Sequence, residues 1–334
     1  PIADPWIIAD EPTSATPTFT AADYMTVVRR GSNATAGGMN GVTYKQLKII
    51  FSVNDHLAQL YTSYLNDILA GKASRTEMDL LNASRGVGIP KSAEGDIRPI
   101  AVGHIVLRLL GSMALRTVAS DVQDFFMPHQ FGCGTRDGCA LMINAIQANL
   151  RINPEYVCIS CDSKNAFNTF DRSLIWAPLR QHFPKLEAFV RLTYLTKGTV
   201  SFSDLNDDMQ TEVVTLWSSI GSRQGCSLGS FLYCLAIHGD FKELTLAYPD
   251  LHFYGYCDDL YMVGPPDLAI DAYKRWKYVV ATRIQGSLRD EKGKVFSTQH
   301  THQELLDLGL PASMSYSDQG MKILGAAIGS FDFM

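Results

Sequence analysis

The chain has 334 residues, of which 46% are hydrophobic, and a formal net charge of −5. This length allows a sizeable core with two or three subdomains. The negative charge excludes a uniformly basic protein, so contacts to a nucleic-acid duplex would have to come from clustered cations. Seven cysteines scattered among hydrophobic neighbours are typical of reduced core residues, which excludes a disulfide-framed secreted domain.

Targeting signals are missing from the sequence. Every apolar run falls short of the roughly 18 residues that a transmembrane helix requires. No signal-peptide pattern is present, and the first residue is Pro1 rather than Met. We therefore expect an intracellular, cytoplasmic or nuclear segment of a longer polypeptide, with no membrane partner and no secretion.

The N-terminal third begins with an irregular segment and continues into a basic one. Residues 1 to about 20 are rich in Pro, Ser and Thr, which predicts an extended arm or linker. Cations outnumber acids between residues 72 and 116. Within that stretch, residues 87–91 and 97–102 flank a polar turn, so we predict a strand-turn-strand with Lys91 and Arg98 near its tip. One long helix is expected from His104 to about Phe126.

Two adjacent acids lie in the C-terminal half, in Tyr256-Cys257-Asp258-Asp259. The apolar runs on either side are too short for helices, so the stretch is predicted to be a hairpin with the acids at its tip. Adjacent like charges repel unless a cation lies between them, and oxygen ligands favour Mg²⁺ or Mn²⁺ over zinc. The alternative is an Asp-Asp turn with both side chains in water.

A third acid follows a predicted buried strand. The apolar run 156–161 leads directly into Asp162. A strand that delivers an acid at its end suits a two-metal phosphoryl-transfer site, where one carboxylate bridges both ions. The segment 162–168, Asp-Ser-Lys-Asn-Ala-Phe-Asn, and the segment 256–259 resemble motifs A and C of reverse transcriptases, especially those of non-LTR retroelements and group II introns.

Other segments resemble further motifs of that family, in the family's order. The strand-turn-strand around Lys91 resembles the fingers hairpin, and Gly221 to Ser230 resembles motif B, with Ser230 where proline is usual. Residues 288–297 resemble motif D and residues 321–330 resemble motif E, the primer grip. The resemblance covers roughly residues 35 to 330, and motifs A, B and C together are highly specific.

The resemblance implies a role for each matching residue. Asp162, Asp258 and Asp259 would bind two Mg²⁺ or Mn²⁺ ions, with Asp259 the less certain ligand. Lys91, Arg98, Gln224 and Gly225 would bind the incoming nucleotide. Phe167 would be an aromatic gate that excludes the 2′-OH, although core packing is an alternative. Lys292, or else Lys294, would protonate the pyrophosphate, and Leu324 and Gly325 would belong to the primer grip.

The expected fold is therefore an α+β right-hand polymerase fold, with an antiparallel palm sheet backed by helices. We predict an N-terminal extension over residues 1–34, fingers with part of the palm over 35–150, and the palm over 151–334, where the chain ends without the family's helical thumb. The expected function is RNA-templated DNA synthesis from a DNA primer and dNTPs, within a retroelement polyprotein.

Two alternative functions remain open. An RNA-dependent RNA polymerase shares motifs A and C, but its motif B normally carries a Ser/Thr and Asn constellation that residues 221–230 lack. A non-catalytic scaffold in a ribonucleoprotein is favoured by the missing thumb and the negative charge. The three intact acids oppose the scaffold.

Overall fold

The computed structural model describes residues 14–90, 97–195, 197–205, 211–330 and 333. The chain divides into two compact units, each made of two separate stretches. The first comprises Pro1–Ala119 and Ile175–Gly229, and the second comprises Ser120–Leu174 and Ser230–Met334. Within the described residues, no helix is long and apolar enough to cross a membrane. The subdomain boundaries expected from the sequence stay a prediction.

The described helices and strands are numbered in chain order. The helices are α1 Ala21–Arg30, α2 Tyr44–Val53, α3 Asp55–Leu69, α4 Arg75–Asn82, α5 Ile105–Arg116, α6 Ala119–Phe126, α7 Gly138–Ile152, α8 Ala166–Thr169, α9 Ser173–His182, α10 Glu187–Tyr194, α11 Gly229–Ala247, α12 Pro266–Val279 and α13 His302–Asp307. The strands are β1 Ser84–Pro90, β2 Ile97–Val102, β3 Val157–Cys161, β4 Gly198–Leu205, β5 Thr211–Ser218, β6 His252–Tyr256, β7 Asp259–Gly264, β8 Lys294–Phe296, β9 Ser315–Ser317, β10 Gly320–Ile323 and β11 Ala326–Gly329.

The first unit contains a four-stranded sheet with the order β2-β1-β4-β5. β1 and β2 form the predicted antiparallel hairpin, in which Ile89 lies opposite Arg98. β4 and β5 form a second antiparallel hairpin, which joins the first through a short parallel pairing between β1 and β4. Lys91 and the rest of the turn, residues 91–96, lie outside the described residues.

The single helix predicted from His104 to Phe126 is wrong, because the chain forms α5 and α6 with a break at Thr117. The Thr117 N–H donates to the carbonyl of Ala114 at 3.0 Å, and the Thr117 hydroxyl donates to the same oxygen at 2.7 Å. A threonine that bonds the backbone locally in this way competes with the helical hydrogen-bond ladder. The apolar periodicity continues through the break and therefore did not reveal it.

The second unit is built on a five-stranded sheet with the order β6-β7-β3-β8-β9. All neighbouring strands are antiparallel except β8 and β9. β3 is the central strand, and its successive side chains point to opposite faces. Four of its five residues are buried, and both α7 and α12 pack against this sheet.

The core on one face of this sheet contains Met142 and Ile146 of α7. It also includes Cys158 of β3. Cys161 lies three residues further along the same strand, so its side chain points to the opposite face. All seven cysteines are free thiols, and burial raises the pKa of Cys158 to about 12. Cys158 and Cys161 are both buried, as expected of cysteines that pack in a core.

Candidate active site

The two adjacent acids lie where the sequence predicted, at the tip of the β6–β7 hairpin. Tyr256 at the end of β6 pairs with Asp259 at the start of β7, so Cys257 and Asp258 form a two-residue turn. Cys257 adopts a left-handed backbone conformation with φ of 54°. Positive φ values are typical of the tight turns that match the twist of antiparallel strands. The predicted hairpin is therefore confirmed.

Strand register brings the third acid to the same edge of the sheet. Cys161, the last residue of β3, pairs with Leu260 of β7. Continuing this antiparallel register by one residue places Asp162 opposite Asp259. The three carboxylates are half-buried. Even so, the described residues contain no group of three or more Asp, Glu, His or Cys side chains already gathered to hold a metal ion.

The Asp162 carboxylate is bound by an arginine that the sequence analysis did not single out. The Nε and Nη2 atoms of Arg289 lie 2.7 and 2.5 Å from Oδ1 of Asp162. The Arg289 backbone N–H also donates to the Asp162 carbonyl at 2.9 Å. The two residues are separated by 127 positions, and no local pattern distinguishes Arg289 from other arginines. The pair therefore forms part of the site's geometry that only the structure reveals.

A buried glutamine holds the backbone of the β6–β7 hairpin turn. Oε1 of Gln130 accepts hydrogen bonds from the N–H groups of Cys257 at 2.7 Å and Gly132 at 3.0 Å. Nε2 of Gln130 donates to the Cys257 carbonyl at 3.1 Å. Because the side chain is only 2% exposed, water cannot readily replace these bonds. Gln130 is thus a positioning residue for the turn that carries Asp258.

Replacement of Gln130 by Leu is expected to reduce primer extension by on the order of 10²-fold, because small misplacements of catalytic groups have effects of this size. The change also leaves polar groups of the Cys257 backbone buried without partners, which costs about 2 kcal/mol of unfolding free energy. Extension assays and denaturant melts measure the two effects. Gln123→Leu is the matched control, since Gln123 is exposed on α6. Equal activity of the two variants would contradict the positioning role.

The hairpin turn also packs tightly against Gly132. A Cβ atom added to Gly132 would lie 2.5 Å from the backbone nitrogen of Cys257, a distance that real contacts exclude. The Cys257 thiol donates to the Gly132 carbonyl at 3.4 Å. A hydrogen bond with the buried Cys234 thiol lowers the pKa of Cys257, although burial and the neighbouring carboxylates oppose this effect. Cys257 therefore points into the protein and anchors the turn.

Phe167 lies five residues beyond Asp162, in the short helix α8 that follows β3. Its half-buried ring is 5.2 Å from the ring of Tyr233 on α11, and the two planes are inclined by 58°. Burial raises the pKa of Tyr233, and the charge of Asp258 raises it further. Tyr233 is therefore a neutral aromatic support beneath Phe167 and close to the acids. No sequence motif singled out Tyr233 for this role.

The predicted primer-grip residues form the turn between β10 and β11. Leu324 and Gly325 both have positive φ, of 48° and 88°. The backbone of Leu324 hydrogen-bonds the hydroxyl of Tyr261, which lies on β7 two residues beyond Asp259. This contact places the turn beside the strand that carries an acid. Lys292 ends a short 3₁₀ turn, Asp290–Lys292, and its side chain is exposed.

The remaining predicted nucleotide-binding residues belong to the first unit. The Ala101 N–H of β2 donates to the Gln224 carbonyl at 2.7 Å, and Arg98 lies on the same strand. Gly225 has φ of 116°, and a Cβ there would lie 2.4 Å from the Ala101 carbonyl oxygen. Only glycine fits this conformation and this contact. The structure thus places Gln224 and Gly225 against β2, the strand that carries Arg98.

A buried arginine next to Gln224 fixes this loop. The Arg223 guanidinium donates to the Asn82 carbonyl at 2.8 Å, to Oδ1 of Asn82 at 3.2 Å and to the Thr193 carbonyl at 3.0 Å. It also lies 5.4 Å from the ring centroid of Tyr194. Arg223 is only 7% exposed, and these oxygens replace the water that a buried cation gives up. The loop is therefore bound firmly to α4 and α10.

Comparison with known proteins identifies the family. The model of the family described as "Reverse transcriptase (RNA-dependent DNA polymerase)" matches residues 89–305, which is more than half of the chain. The chain belongs to the reverse transcriptase family. The match extends from the fingers hairpin past motif D and contains all three acids. The resemblance inferred from motifs A, B and C is thus confirmed.

One sequence relative is a retrotransposon protein. The chain is 25% identical over 252 residues to the "Retrotransposable element SLACS 132 kDa protein" of Trypanosoma brucei gambiense. The aligned region covers 72% of this chain and 20% of the relative. The chain thus spans about a fifth of the length of that relative.

Similar solved structures establish the fold class. Apo telomerase from Candida tropicalis, truncated from the C-terminal domain, aligns with a TM-score of 0.52 and 13% identity over 76% of this chain and 55% of that one. Telomerase from Candida albicans, in complex with the TWJ fragment of telomeric RNA, aligns with a TM-score of 0.50 and 12% identity over 82% and 50%. These neighbours have the right-hand polymerase fold, so the predicted α+β class is confirmed.

Members of the reverse transcriptase family generally use divalent metal ions. The donor set present here fits such ions, because Asp162, Asp258 and Asp259 supply only hard carboxylate oxygens. All three acids lie at or next to strand ends on one edge of the sheet. The described arrangement differs from a preformed ligand cluster in one respect, since Oδ1 of Asp162 is already bound by Arg289.

Proposed function

We propose that this chain performs RNA-templated DNA synthesis by two-metal nucleotidyl transfer to a primer 3′-OH, as part of a retroelement polyprotein. The observation that carries the proposal is the strand register that aligns Asp162 with the Asp258-Asp259 turn. Acids at adjacent strand ends are the arrangement that phosphoryl transfer through two divalent ions requires. Membership of the reverse transcriptase family supports the same activity.

Asp162 and Asp258 are proposed to hold both Mg²⁺ or Mn²⁺ ions, with Asp259 as a third ligand or an orienting group. When bound, such ions would activate the primer 3′-OH and neutralise the charge that develops on the triphosphate and pyrophosphate. The chain's own residues fix the geometry. Gln130 holds the turn backbone, and the thiol of Cys257 anchors the turn from within the protein.

Nucleotide binding is assigned to Lys91, Arg98, Gln224 and Gly225. A lysine point charge and a forked guanidinium suit triphosphate oxygens. Gln224 adds a further argument, because its Oε1 is buried and has no hydrogen-bond partner among the described residues. An unsatisfied buried acceptor is costly, and a donor on the base or sugar would satisfy it.

The remaining roles concern the leaving group and the primer. Lys292 is proposed to protonate the departing pyrophosphate, and its exposed position at the end of the 3₁₀ turn leaves the ammonium accessible. The turn of Leu324 and Gly325 is proposed to hold the primer end. The partners are accordingly an RNA template, a DNA primer, dNTPs and the rest of the longer polypeptide.

Phe167 is proposed to select deoxynucleotides by occupying the space of a 2′-OH. Phe167→Ala is expected to raise the use of UTP relative to dTTP by about 10- to 100-fold, since a steric pocket discriminates by this much. Competing single-nucleotide extension measures the ratio. Tyr233→Phe is the control, because it keeps the supporting ring and removes only the hydroxyl. An unchanged UTP/dTTP ratio in Phe167→Ala would instead favour core packing for this ring.

Extension of a DNA primer on a heteropolymeric RNA template, followed by sequencing of the product, tests the activity itself. A DNA product that copies the template supports a reverse transcriptase. An RNA product would instead favour an RNA-dependent RNA polymerase. A non-catalytic scaffold predicts no product and weak dependence of duplex affinity on salt. A polymerase that contacts several phosphates loses affinity steeply as salt rises.

A further inference from the structure

The pair formed by Arg289 and Asp162 is not an ordinary surface contact. Both guanidinium contacts fall on Oδ1 of Asp162, and the side chains of Arg289 and Asp162 are only 19% and 35% exposed. The proposed function assigns this carboxylate to the divalent ions. The positively charged guanidinium of Arg289 therefore already binds one oxygen atom of the proposed metal site.

The backbone determines where Arg289 lies. Leu288 and Ser163 form an isolated antiparallel bridge, and the Lys164 N–H donates to the Ser287 carbonyl at 2.9 Å. Together with the bond from the Arg289 N–H to the Asp162 carbonyl, these contacts align residues 287–289 with residues 162–164. The guanidinium reaches Asp162 from a fixed position rather than from a loose loop.

The adjacent acid, Asp290, has partners of its own. Its carboxylate accepts hydrogen bonds from Lys277 at 2.5 Å and from the Tyr273 hydroxyl at 2.6 Å. Burial tends to raise the pKa of Asp290, but these two hydrogen bonds give a net lowering. The charge of Asp290 is thus balanced by Lys277 of α12. Among the described residues, the ion-pair partner of Arg289 is Asp162.

We infer that Arg289 is a positioning residue that acts as a built-in counter-ion for Asp162 and competes with divalent cations for its carboxylate. In the absence of divalent ions the guanidinium offsets the repulsion among Asp162, Asp258 and Asp259. Binding of an ion to Oδ1 of Asp162 then requires Arg289 to release that oxygen. The arginine consequently sets the divalent-ion concentration at which the site fills. This inference rests on the proposed function.

The test is Mn²⁺ binding to the 334-residue chain, measured from the electron paramagnetic resonance signal of free Mn²⁺. Arg289→Gln is expected to bind Mn²⁺ about fivefold more tightly than the wild type, because a partly buried ion pair contributes up to roughly that factor. Arg289→Lys is expected to be intermediate, since an ammonium lacks the fork of the guanidinium. Lys277→Gln is the matched control and leaves the affinity unchanged, because Lys277 pairs with Asp290.

Two results would overturn the inference, and they are distinguishable. If Asp258→Ala abolishes the binding but Arg289→Gln and Arg289→Lys bind Mn²⁺ no more tightly than the wild type, the counter-ion role is wrong and the proposed function stands. If neither Asp258→Ala nor Arg289→Gln alters binding, Mn²⁺ does not bind at these acids, and the metal site fails together with the inference. Melting curves for each variant verify that the fold is retained.

Discussion

Asp258→Asn is expected to reduce primer extension by about 10³-fold or more, while the protein stays folded. The substitution preserves the size of the side chain, replaces one carboxylate oxygen by an amide NH2 group and removes the charge that would hold divalent ions. Metal ions at such sites contribute several kcal/mol of transition-state stabilisation, and each 1.4 kcal/mol corresponds to about tenfold in rate. Asp258 lies in a two-residue turn rather than in the core, so the change leaves the sheet intact.

Asp250→Asn provides the matched control for this substitution. Asp250 is exposed and lies in the turn before β6, so the same loss of charge occurs in the same unit away from the acid cluster. Single-turnover extension with Mg²⁺ and with Mn²⁺ measures both variants. If Asp258→Asn and Asp250→Asn retain equal rates, the assignment of Asp258 to catalysis is incorrect.

The largest effect on stability is expected for Arg223→Ala. This change removes the donors for the Asn82 and Thr193 carbonyls and leaves both groups buried. Leaving these buried acceptors without donors costs about 3 kcal/mol, which for a protein of this size corresponds to a fall in Tm of about 4 °C. The adjacent Gln224-Gly225 loop loses its anchor, so the KM for dTTP is expected to rise as well.

Two further variants make the Arg223 prediction specific. Arg75→Ala removes an exposed arginine from α4, the helix that ends at Asn82, and is expected to leave both Tm and KM unchanged. Arg223→Lys keeps the charge but cannot donate to three acceptors in the geometry of a guanidinium, so it is expected to lie between the wild type and Arg223→Ala. A Tm for Arg223→Ala equal to that of Arg75→Ala would contradict the anchoring role.

The sequence revealed the strands and the acids because their signals are local. A short apolar run followed by an acid predicted β3 and Asp162, and two such runs around Asp258-Asp259 predicted the hairpin. The family resemblance then indicated that the acids act together. Their alignment depends on the pairing of β3 with β7, which joins segments about a hundred residues apart and was therefore visible only in the structure.

The supporting residues were hidden for a physical reason. Gln130 and Arg289 act through side-chain contacts to Cys257 and Asp162, each 127 positions away along the chain. Neither residue has a periodicity that signals such a contact. The break at Thr117 was missed for a different reason, since a local hydroxyl-to-carbonyl bond overrode a continuous apolar pattern.

The most direct measurement is primer extension on poly-rA/oligo-dT with Mg²⁺ or Mn²⁺, comparing dTTP with UTP for this chain and for Asp258→Ala. The proposed function predicts extension with dTTP, little extension with UTP, and loss of both in Asp258→Ala. Extension with UTP in preference to dTTP would contradict deoxynucleotide selection by Phe167. Failure to extend with either nucleotide would contradict the polymerase function and favour the scaffold.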